Sequence, residues 1–317
     1  MTSLLTKTVV AFGETLWDLL PDGPVLGGAP FNFAYRVNSL GDQAYIATRL
    51  GRDALGLRAS TRIEALGMPP DGIQWDEDHP TGTVPVTLDG MGHPLFTIIP
   101  NVAYDYIEAT PELQRLVAAS DCILFGTLAQ RCPISAATLN SLLQGAGDKL
   151  RVLDINLRKD CYTPESIVRS LGWADILKLN YEEAIAIGSI LGIPAGDTPL
   201  FCDQMLDRFS LSCCLVTFGE LGAFGASAKG ERIYVPGYVV QVADTVGSGD
   251  AFTAGFVRQA LRGASFETCI QTGAVLGALA ASRAGGTALI DPEEIALFDG
   301  AHLDRRIEPS LDRFSVG

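Results

Sequence analysis

The stretch Ala243-Asp-Thr-Val-Gly-Ser-Gly-Asp250 runs directly into an apolar segment, 251–261, which has the length of a helix and ends before Gly263. The two glycines that flank the serine allow the backbone to turn tightly into this helix. Because the first N–H groups of a helix lack intrahelical partners, such a turn forms an anion site. Asp250 falls in the first helical turn, where a carboxylate can accept a proton from an attacking hydroxyl. On spacing alone, a capped helix with glycines for turn geometry explains the same residues equally well.

Outward from this stretch, short runs of strand-forming residues alternate with longer amphipathic segments. This alternation favours a mostly parallel β-sheet covered by helices on both faces. Ligands of such sheets bind beyond the carboxyl ends of the strands, and polar residues follow several of the runs here. The predicted strands are 9–12, 44–47, 122–125, 152–155, 175–179 and 213–217, and the predicted helices include 111–119, 135–144, 182–187 and 199–209.

One region interrupts the alternation of strands and helices. Segments 81–88 and 94–99 flank Asp89-Gly90-Met91-Gly92, which is a hairpin signal. The hairpin is either a surface excursion or a lid over a ligand site, with residues 14–24 as the other part of the lid. The pattern alone favours neither.

The composition limits the classes of partner. Across 317 residues, 37 acidic side chains outnumber 23 basic ones, which gives a net charge of −14. This charge repels nucleic acid and acidic membrane surfaces, so we expect neither as a partner. No apolar run approaches the length of a membrane span, and the first residues do not fit a signal peptide. The seven cysteines lack the spacing of a metal site, which favours a reducing, cytoplasmic setting.

Two motifs resemble the signatures of the ribokinase-like, or pfkB, family of carbohydrate kinases. The second signature is matched by Asp244-Thr-Val-Gly-Ser-Gly-Asp-Ala-Phe-Thr-Ala-Gly-Phe256, and the first by Gly27-Gly-Ala-Pro-Phe-Asn-Phe-Ala34, Leu40-Gly41 and Leu50-Gly-Arg-Asp53. The resemblance extends from Phe12 to about Leu289, which is nearly the whole chain. Ser248 stands where the family most often has alanine, and a small residue there preserves the turn.

The resemblance implies both a fold and a reaction. The fold would be α/β of the ribokinase-like type, a three-layer αβα arrangement around a mostly parallel sheet. Residues 1–317 would form a single domain with a small β lid at about 14–24 and 81–100. The reaction would be ATP-dependent phosphorylation of a sugar hydroxyl, with Mg²⁺ and, as a further candidate, K⁺ as cofactors.

The resemblance also assigns the catalytic centre. In this family the last Asp of the second signature is the base, which is Asp250 here. The residues before it, Gly247, Ser248 and Gly249, would supply backbone N–H groups to the γ-phosphate in the transition state. The alternative from another class is a non-catalytic sugar-binding regulator, which would be expected to have lost Asp250 or the glycine turn; both are present.

The sugar-binding residues implied by the resemblance come mainly from the first third of the chain. Asp18 matches an acidic residue that grips sugar hydroxyls, although a solvated loop carboxylate has the same appearance in the sequence. Gly28 allows close approach of the backbone. Asn32 matches a sugar-contacting position, whereas without the family it is a helix-start residue.

The nucleotide and cation sites follow by the same resemblance. The residues Asn180 and Glu183 match an Asn-x-x-Glu element that organises magnesium and the phosphates through water, and they would share one helical face. Asp244 and the carbonyl of Val246 are candidate ligands of a monovalent cation. The remaining nucleotide-binding candidates are Thr217, Gly219 and Gly222, near the phosphates and ribose, and Ser282, near the adenine.

Two residue choices bear on the acceptor sugar. Ala29-Pro30 follow the glycine pair, where ribokinase-type relatives often carry lysine, so no cation is available there for a sugar phosphate. A neutral sugar is therefore favoured. Asn101-Val-Ala-Tyr-Asp105 and Asp154-Ile-Asn-Leu-Arg158 look most like bacterial fructokinases, which convert fructose to fructose 6-phosphate.

Two alternatives for the acceptor and one for the assembly stay open. Arg158 offers a planar fork of donors that suits either hydroxyls or a carboxylate. A 2-keto-3-deoxygluconate kinase is therefore one alternative, and a ribokinase-type sugar kinase is another. Some relatives dimerise through paired lids, so a homodimer of this kind is a further expectation.

Overall fold

The computed structural model of the chain describes residues 6–88, 94–300 and 304–316. Its elements follow one another in an order close to the predicted alternation. The strands are β1 (Thr8–Phe12), β2 (Leu16–Leu20), β3 (Gly23–Gly27), β4 (Gln43–Gly51), β5 (Ile73–Asp76), β6 (Gly82–Leu88), β7 (Pro94–Phe96), β8 (Cys122–Phe125), β9 (Leu150–Asp154), β10 (Ile176–Asn180), β11 (Cys213–Thr217), β12 (Gly222–Ser227), β13 (Arg232–Tyr238) and β14 (Arg305–Arg306). The helices are α1 (Ala29–Ser39), α2 (Ala54–Ala65), α3 (Pro111–Ala119), α4 (Pro133–Gln144), α5 (Pro164–Trp173), α6 (Tyr181–Leu191), α7 (Thr198–Phe209), α8 (Ser248–Ala260), α9 (Phe266–Ala281) and α10 (Pro292–Gly300).

Local sequence signals mark where the helices begin. Thr110 caps α3 and Thr163 caps α5, each by accepting a hydrogen bond from a backbone N–H of the first turn. Asp197 caps α7 in the same way. Proline occupies the first or second position of all three helices, where its missing N–H costs nothing.

The main sheet is mostly parallel. In the described residues its strand order is β14-β13-β12-β11-β10-β9-β8-β1-β4-β5. The run from β11 to β5 is parallel throughout, and β12, β13 and β14 extend it as antiparallel strands. The carboxyl ends of the parallel strands therefore lie along one edge of the sheet, where ligands of such folds bind.

Helices cover both faces of this sheet. Side chains alternate along each strand, so neighbouring residues enter different cores. Phe12 and Phe125 belong to the core that contains α3 to α7, whereas Ala11 and Leu124 belong to the core that contains α1, α2, α8 and α9. The three-layer αβα architecture predicted from the sequence is confirmed.

A second, small sheet has the strand order β3-β2-β6-β7. Its strands come from the two regions that the sequence assigns to a lid, although β3 continues to Gly27. Strands β6 and β7 pair antiparallel, with Val86 opposite Phe96. The predicted hairpin turn Asp89-Gly90-Met91-Gly92 lies outside the described residues.

Asp53 fixes the junction between this small sheet and the body of the protein. Its Oδ1 caps α2 by accepting the N–H of Gly56 at 2.7 Å, and its Oδ2 accepts the N–H of Thr81 at 2.8 Å. Thr81 lies immediately before β6. The end of the first signature therefore ties α2 to the point where the chain enters the small sheet.

Among the described residues we find no helix that combines the length and apolar character needed to cross a bilayer.

Candidate active site

The first turn of α8 forms a backbone cradle. Gly247 precedes the helix with φ of 78°, in the left-handed region that favours glycine. The N–H of Ser248 donates to the carbonyl of Thr245 at 3.2 Å, so this amide is already engaged. The amides of Gly249 and Asp250 belong to the first helical turn, where no intrahelical acceptor exists. Together with the helix dipole, they make this end of α8 suited to an anion.

Asp250 is held at the cradle by a side-chain amide. Its Oδ2 accepts a hydrogen bond from Nδ2 of Asn32 at 2.9 Å. Burial raises the pKa of Asp250 to about 7, and the negative charge of Asp154 acts in the same direction. The Asn32 hydrogen bond and the Lys178 ammonium group oppose this rise in pKa. A carboxyl group with a near-neutral pKa suits general base catalysis.

Asn32 leaves one polar atom available to a ligand. Asn32 lies in the first turns of α1, and its side chain is buried. Its Nδ2 is used by Asp250, but its Oδ1 has no hydrogen-bond partner among the described residues. Because a buried acceptor without a partner is costly, this oxygen is suited to a ligand hydroxyl.

Gly28, in the glycine pair of the first signature, packs against the backbone of Glu14, just after β1. Gly28 has φ of 114°, and a Cβ there would lie 2.4 Å from the carbonyl oxygen of Glu14. Glu14 Oε1 accepts the N–H of Ala29 at 3.3 Å. Burial raises the pKa of Glu14 to about 7, against the nearby positive charge of Arg158. Only glycine at position 28 permits this close approach.

A small cavity of about 10 Å³ lies beside Asp250. It is bounded by the ends of β1, β8 and β9 and by the start of α1. Its lining includes Glu14, Thr127, Asp154, Asn156 and Asp250. The four predicted sugar-binding residues do not line it; they are Asp18, Gly28, Asn32 and Arg158.

The structure brings Asp18 and Arg158 toward this side of the site. Asp18 lies on β2 and is half-buried; burial raises its pKa, and the positive charge of Arg158 opposes the rise. Arg158 follows β9 and is exposed, with Nη1 donating to the carbonyl of Leu157 at 3.2 Å. Its guanidinium therefore influences both Asp18 and Glu14 without a direct ion pair to either among the described contacts.

A larger cavity, of about 460 Å³, lies on the other side of the cradle. Its lining includes Thr217, Gly219, Gly222, Ser248, Gly249 and Ala281. Ser282, which the sequence assigned to this region, does not line the cavity. Its hydroxyl turns back to donate to the carbonyl of Leu279 at 2.8 Å, so the preceding alanine forms this part of the wall.

Asn180 and Glu183 form a reciprocal cap at the start of α6. Asn180 Oδ1 accepts the N–H of Glu183 at 2.8 Å, and Glu183 Oε2 accepts the N–H of Asn180 at 2.8 Å. Glu183 Oε1 also accepts the N–H of Leu157 at 2.8 Å. Each oxygen of Glu183 keeps a further lone pair for water, so this carboxylate fits an outer ligand of a hard cation such as Mg²⁺.

Asp244 joins the two loops at the far end of the cradle. Its Oδ1 accepts the N–H of Val246 at 3.0 Å, and its Oδ2 accepts the N–H of Gly285 at 3.0 Å. This arrangement places a carboxylate next to the backbone of both loops. Carboxylate and carbonyl oxygens are the ligands that hard cations prefer, so the donor set fits a monovalent cation.

Sequence reasoning missed four buried residues beneath the cradle. They are Glu14, Asp154, Lys178 and Thr253. Lys178 is the single charged residue of the strand Ile176–Asn180, and Asp154 ends the strand Leu150–Asp154, directly after the buried Val152 and Leu153. A charge in a buried strand is rare unless it is paired, and this was the signal available in the sequence.

Comparisons with known proteins agree with this geometry. A family model described as pfkB family carbohydrate kinase matches residues 24–293. The chain is 26% identical to a 2-dehydro-3-deoxygalactonokinase of Haloferax volcanii, over 92% of this chain and 96% of that protein. It is 28% identical to a fructokinase of Escherichia coli, over 80% of this chain and 84% of that protein.

A solved structure gives the same result for the fold. The fructokinase of Xylella fastidiosa with bound ATP superposes with a TM-score of 0.82 and 23% identity. The match covers 93% of this chain and 98% of that one. At this identity the likeness establishes the shared fold.

Proposed function

The chain belongs to the pfkB family of carbohydrate kinases and is a sugar kinase, and we propose that its acceptor is fructose, phosphorylated to fructose 6-phosphate with Asp250 as the base. One observation carries this proposal. Asp250 lines the small cavity, whereas the two residues before it, Ser248 and Gly249, line the larger one. The cradle thus lies between the two cavities, which supports a reaction at Asp250.

The reaction follows from this placement. The sugar binds on the side of the small cavity with one hydroxyl against Asp250, and ATP occupies the larger cavity with its γ-phosphate at the start of α8. The hydroxyl oxygen attacks phosphorus and its proton passes to the Asp250 carboxylate. The bond to the β-phosphate oxygen breaks, and ADP leaves. Backbone N–H groups of the first helical turn stabilise the negative charge on the transferred group.

The neighbouring side chains hold the acceptor in place. Asn32 offers its unpartnered Oδ1 to a sugar hydroxyl while its Nδ2 fixes Asp250. Asp18 accepts from other hydroxyls, and the backbone at Gly28 lets the sugar approach closely. Such positioning supplies much of the rate of a phosphoryl transfer.

Cations would be held at the two places where the donor chemistry fits. Asn180 and Glu183 would hold Mg²⁺ through water, and Asp244 with the carbonyl of Val246 would hold a monovalent cation, K⁺ being the first candidate. When bound with the nucleotide, Mg²⁺ neutralises phosphate charge. A chain with net charge −14 needs that help to hold a polyphosphate.

A second candidate acceptor is a 2-keto-3-deoxy sugar acid. The 26% identity to a 2-dehydro-3-deoxygalactonokinase over nearly the whole chain favours it. Arg158 is the group that would pair with the carboxylate of such an acid. A ribokinase-type sugar is the third candidate.

The acceptor is tested by ADP release over a panel of fructose, ribose, 2-keto-3-deoxygluconate and 2-keto-3-deoxygalactonate, each at several concentrations. The highest kcat/KM for fructose supports the proposal. A clear preference for either sugar acid replaces fructose with that acid and leaves the kinase assignment unchanged.

Three further expectations accompany this proposal. The small sheet would close over the sugar as a lid, which sugar-dependent protection from hydrogen exchange in β2 and β3 would detect. A homodimer through paired lids would appear in sedimentation at micromolar concentration. The seven cysteines are all unpaired thiols, which supports a reducing compartment such as the cytoplasm.

A further inference from the structure

A buried ion pair lies directly beneath the cradle. Lys178 on β10 and Asp154 on β9 are register partners in adjacent parallel strands. Lys178 Nζ lies 3.1 Å from Asp154 Oδ1, and the two side chains are 8% and 7% exposed. Removing such a pair from water is expensive, and an apolar pair of similar volume is often as stable. A contribution to stability alone therefore does not explain why an ion pair occupies these two positions.

The pair is linked to the catalytic helix at both of its ends. The Thr253 hydroxyl on α8 donates to Asp154 Oδ2 at 2.9 Å and lies 3.0 Å from the carbonyl of Gly249. At Gly249 itself, a Cβ would lie 3.1 Å from Lys178 Nζ. The ammonium group is thus packed against the residue that precedes Asp250.

The charges that face Asp250 come from several elements. Asp154 on β9 and Glu14 after β1 raise its pKa, and Lys178 on β10 lowers it. Asn32 on α1 contributes the neutral hydrogen bond. Beyond this first layer, Glu183 on α6 acts on Lys178, and Arg158 and Arg131 act on Glu14. Lys178 is the positive charge that lowers the pKa of Asp250.

We propose that the buried Lys178–Asp154 pair sets the charge state of Asp250, with Lys178 holding the base as a carboxylate and Asp154 opposing it. Both are positioning residues, because they act on the reaction through Asp250. This inference rests on the proposed role of Asp250 as the base. It adds two residues outside the signature motifs to the machinery of the site.

The two members of the pair make a test with opposite signs. In the pH profile of kcat/KM, the acidic limb is the fall in activity that accompanies protonation of Asp250. Lys178→Met removes a positive charge and should move this limb to higher pH by about one unit. Asp154→Asn removes a negative charge of nearly the same shape and should move that limb to lower pH by about one unit. A role confined to packing predicts the same outcome for both variants, namely lower stability and an unmoved limb.

Two further variants complete the design. Lys178→Arg retains the charge and should restore the limb to within a few tenths of a unit of the parent enzyme. The double variant Lys178→Met/Asp154→Asn should return the limb to near the parental position. If Lys178→Met alone does not fold, the double variant compared with Asp154→Asn gives the same measurement, and the limb should then move upward.

A measurement without substrate separates this inference from the function on which it rests. The carboxyl ¹³C signal of Asp250, assigned with Asp250→Asn, is titrated by NMR in the ligand-free protein of each variant. Opposite shifts of this titration support the inference even if no sugar on the panel is phosphorylated. Shifts of the same sign, or no shift in either single variant, overturn it while leaving measured kinase activity intact.

Discussion

The side-chain amide of Asn32 donates a hydrogen bond of 2.9 Å to Asp250 Oδ2, across 218 positions of the chain. This contact joins the first signature to the second at the residue that we propose as the base. Asn32 Oδ1 has no hydrogen-bond partner among the described residues and packs beside Gly286, where an added Cβ would lie 2.7 Å from it. The amide of Asn32 therefore orients Asp250 and, in the proposed reaction, also contacts the acceptor.

Asp250→Asn should lower kcat by about 10²-fold or more, because a positioned base usually contributes that much. Fold and ATP binding should be retained, since the amide has nearly the shape of the carboxyl group. Asp207→Asn, the same change at an exposed position of α7, is the control and should keep parental turnover. Near-normal kcat in the Asp250 variant would remove the residue from its role.

The pH profile follows from the same group. Burial raises the pKa of Asp250 to about 7, so the base form is lost as the pH falls through 7. We expect kcat/KM to fall about tenfold per pH unit below that value and to be level above it. A profile that stays level down to pH 5 would contradict a base of this kind.

The raised pKa also has a consequence for stability. The ordinary pKa of the group is 3.8, so between about 4 and 7 the folded state binds the proton more tightly than the unfolded chain does. Burial of the carboxylate therefore lowers the free energy of unfolding. This loss is absent at low pH, grows between about pH 4 and 7, and is complete above pH 7. The gain in Tm of Asp250→Asn over the parent should be larger at pH 8 than at pH 5. Equal differences at the two pH values would show that the group is not perturbed.

Glu183→Gln should raise the Mg²⁺ concentration needed for half-maximal activity. The change removes the charge and turns an NH₂ group toward one of the two backbone donors, those of Asn180 and Leu157. We therefore also expect a lower Tm. Glu182→Gln, at the exposed neighbouring position, is the matched control. An unchanged Mg²⁺ titration in the Glu183 variant would leave it a structural cap only.

Gly28→Ala should raise the KM for the sugar by about tenfold or more, because its Cβ would lie 2.4 Å from the Glu14 carbonyl. Gly23→Ala is the control: its φ of 122° is similar, but nothing lies within 4 Å of the added Cβ. Backbone strain is thus shared by the two variants, and the clash is not. Equal effects on the sugar KM would assign the loss to backbone strain rather than to the clash with Glu14.

Arg158→Ala separates the two classes of acceptor. With fructose, only neutral hydrogen bonds are lost, which costs about 0.5–1.5 kcal/mol in kcat/KM. With a keto acid, a charge-assisted pair of roughly twice that strength is lost. Lys159→Ala, at the next exposed position, controls for the change in net charge. A loss confined to the sugar acids would favour the second candidate acceptor.

The sequence predicts the layers of this fold well because strand and helix patterns are local. The parallel run from β11 to β5 and the start of α8 agree with that prediction. Contacts between segments that are distant in the sequence are harder to predict. Glu183, which caps α6 together with Asn180, also accepts a hydrogen bond from the N–H of Leu157, beyond the end of β9. No spacing rule in the sequence predicts this contact.

The site residues show the same division. The signatures point to Asp250, Asn32 and Gly28, which the structure brings together. They do not point to Lys178, because a lysine in an apolar strand acquires its meaning only from the Asp154 on the adjacent strand. Ser282 differs from Lys178, since its place in the chain is close to the cavity but its hydroxyl faces its own helix.

The close packing around Asn32 constrains how this chain can vary. A Cβ at Gly247 would lie 2.5 Å from the Cα of Gly286, and a Cβ at Gly286 would lie 2.7 Å from Asn32 Oδ1. The three positions share one small volume, so a larger residue at any of them requires a smaller or displaced neighbour. Among natural homologues, these positions should therefore change together or remain unchanged. Asp18 and Arg158 lie outside this volume, so substitutions there should be tolerated best when the acceptor specificity is engineered.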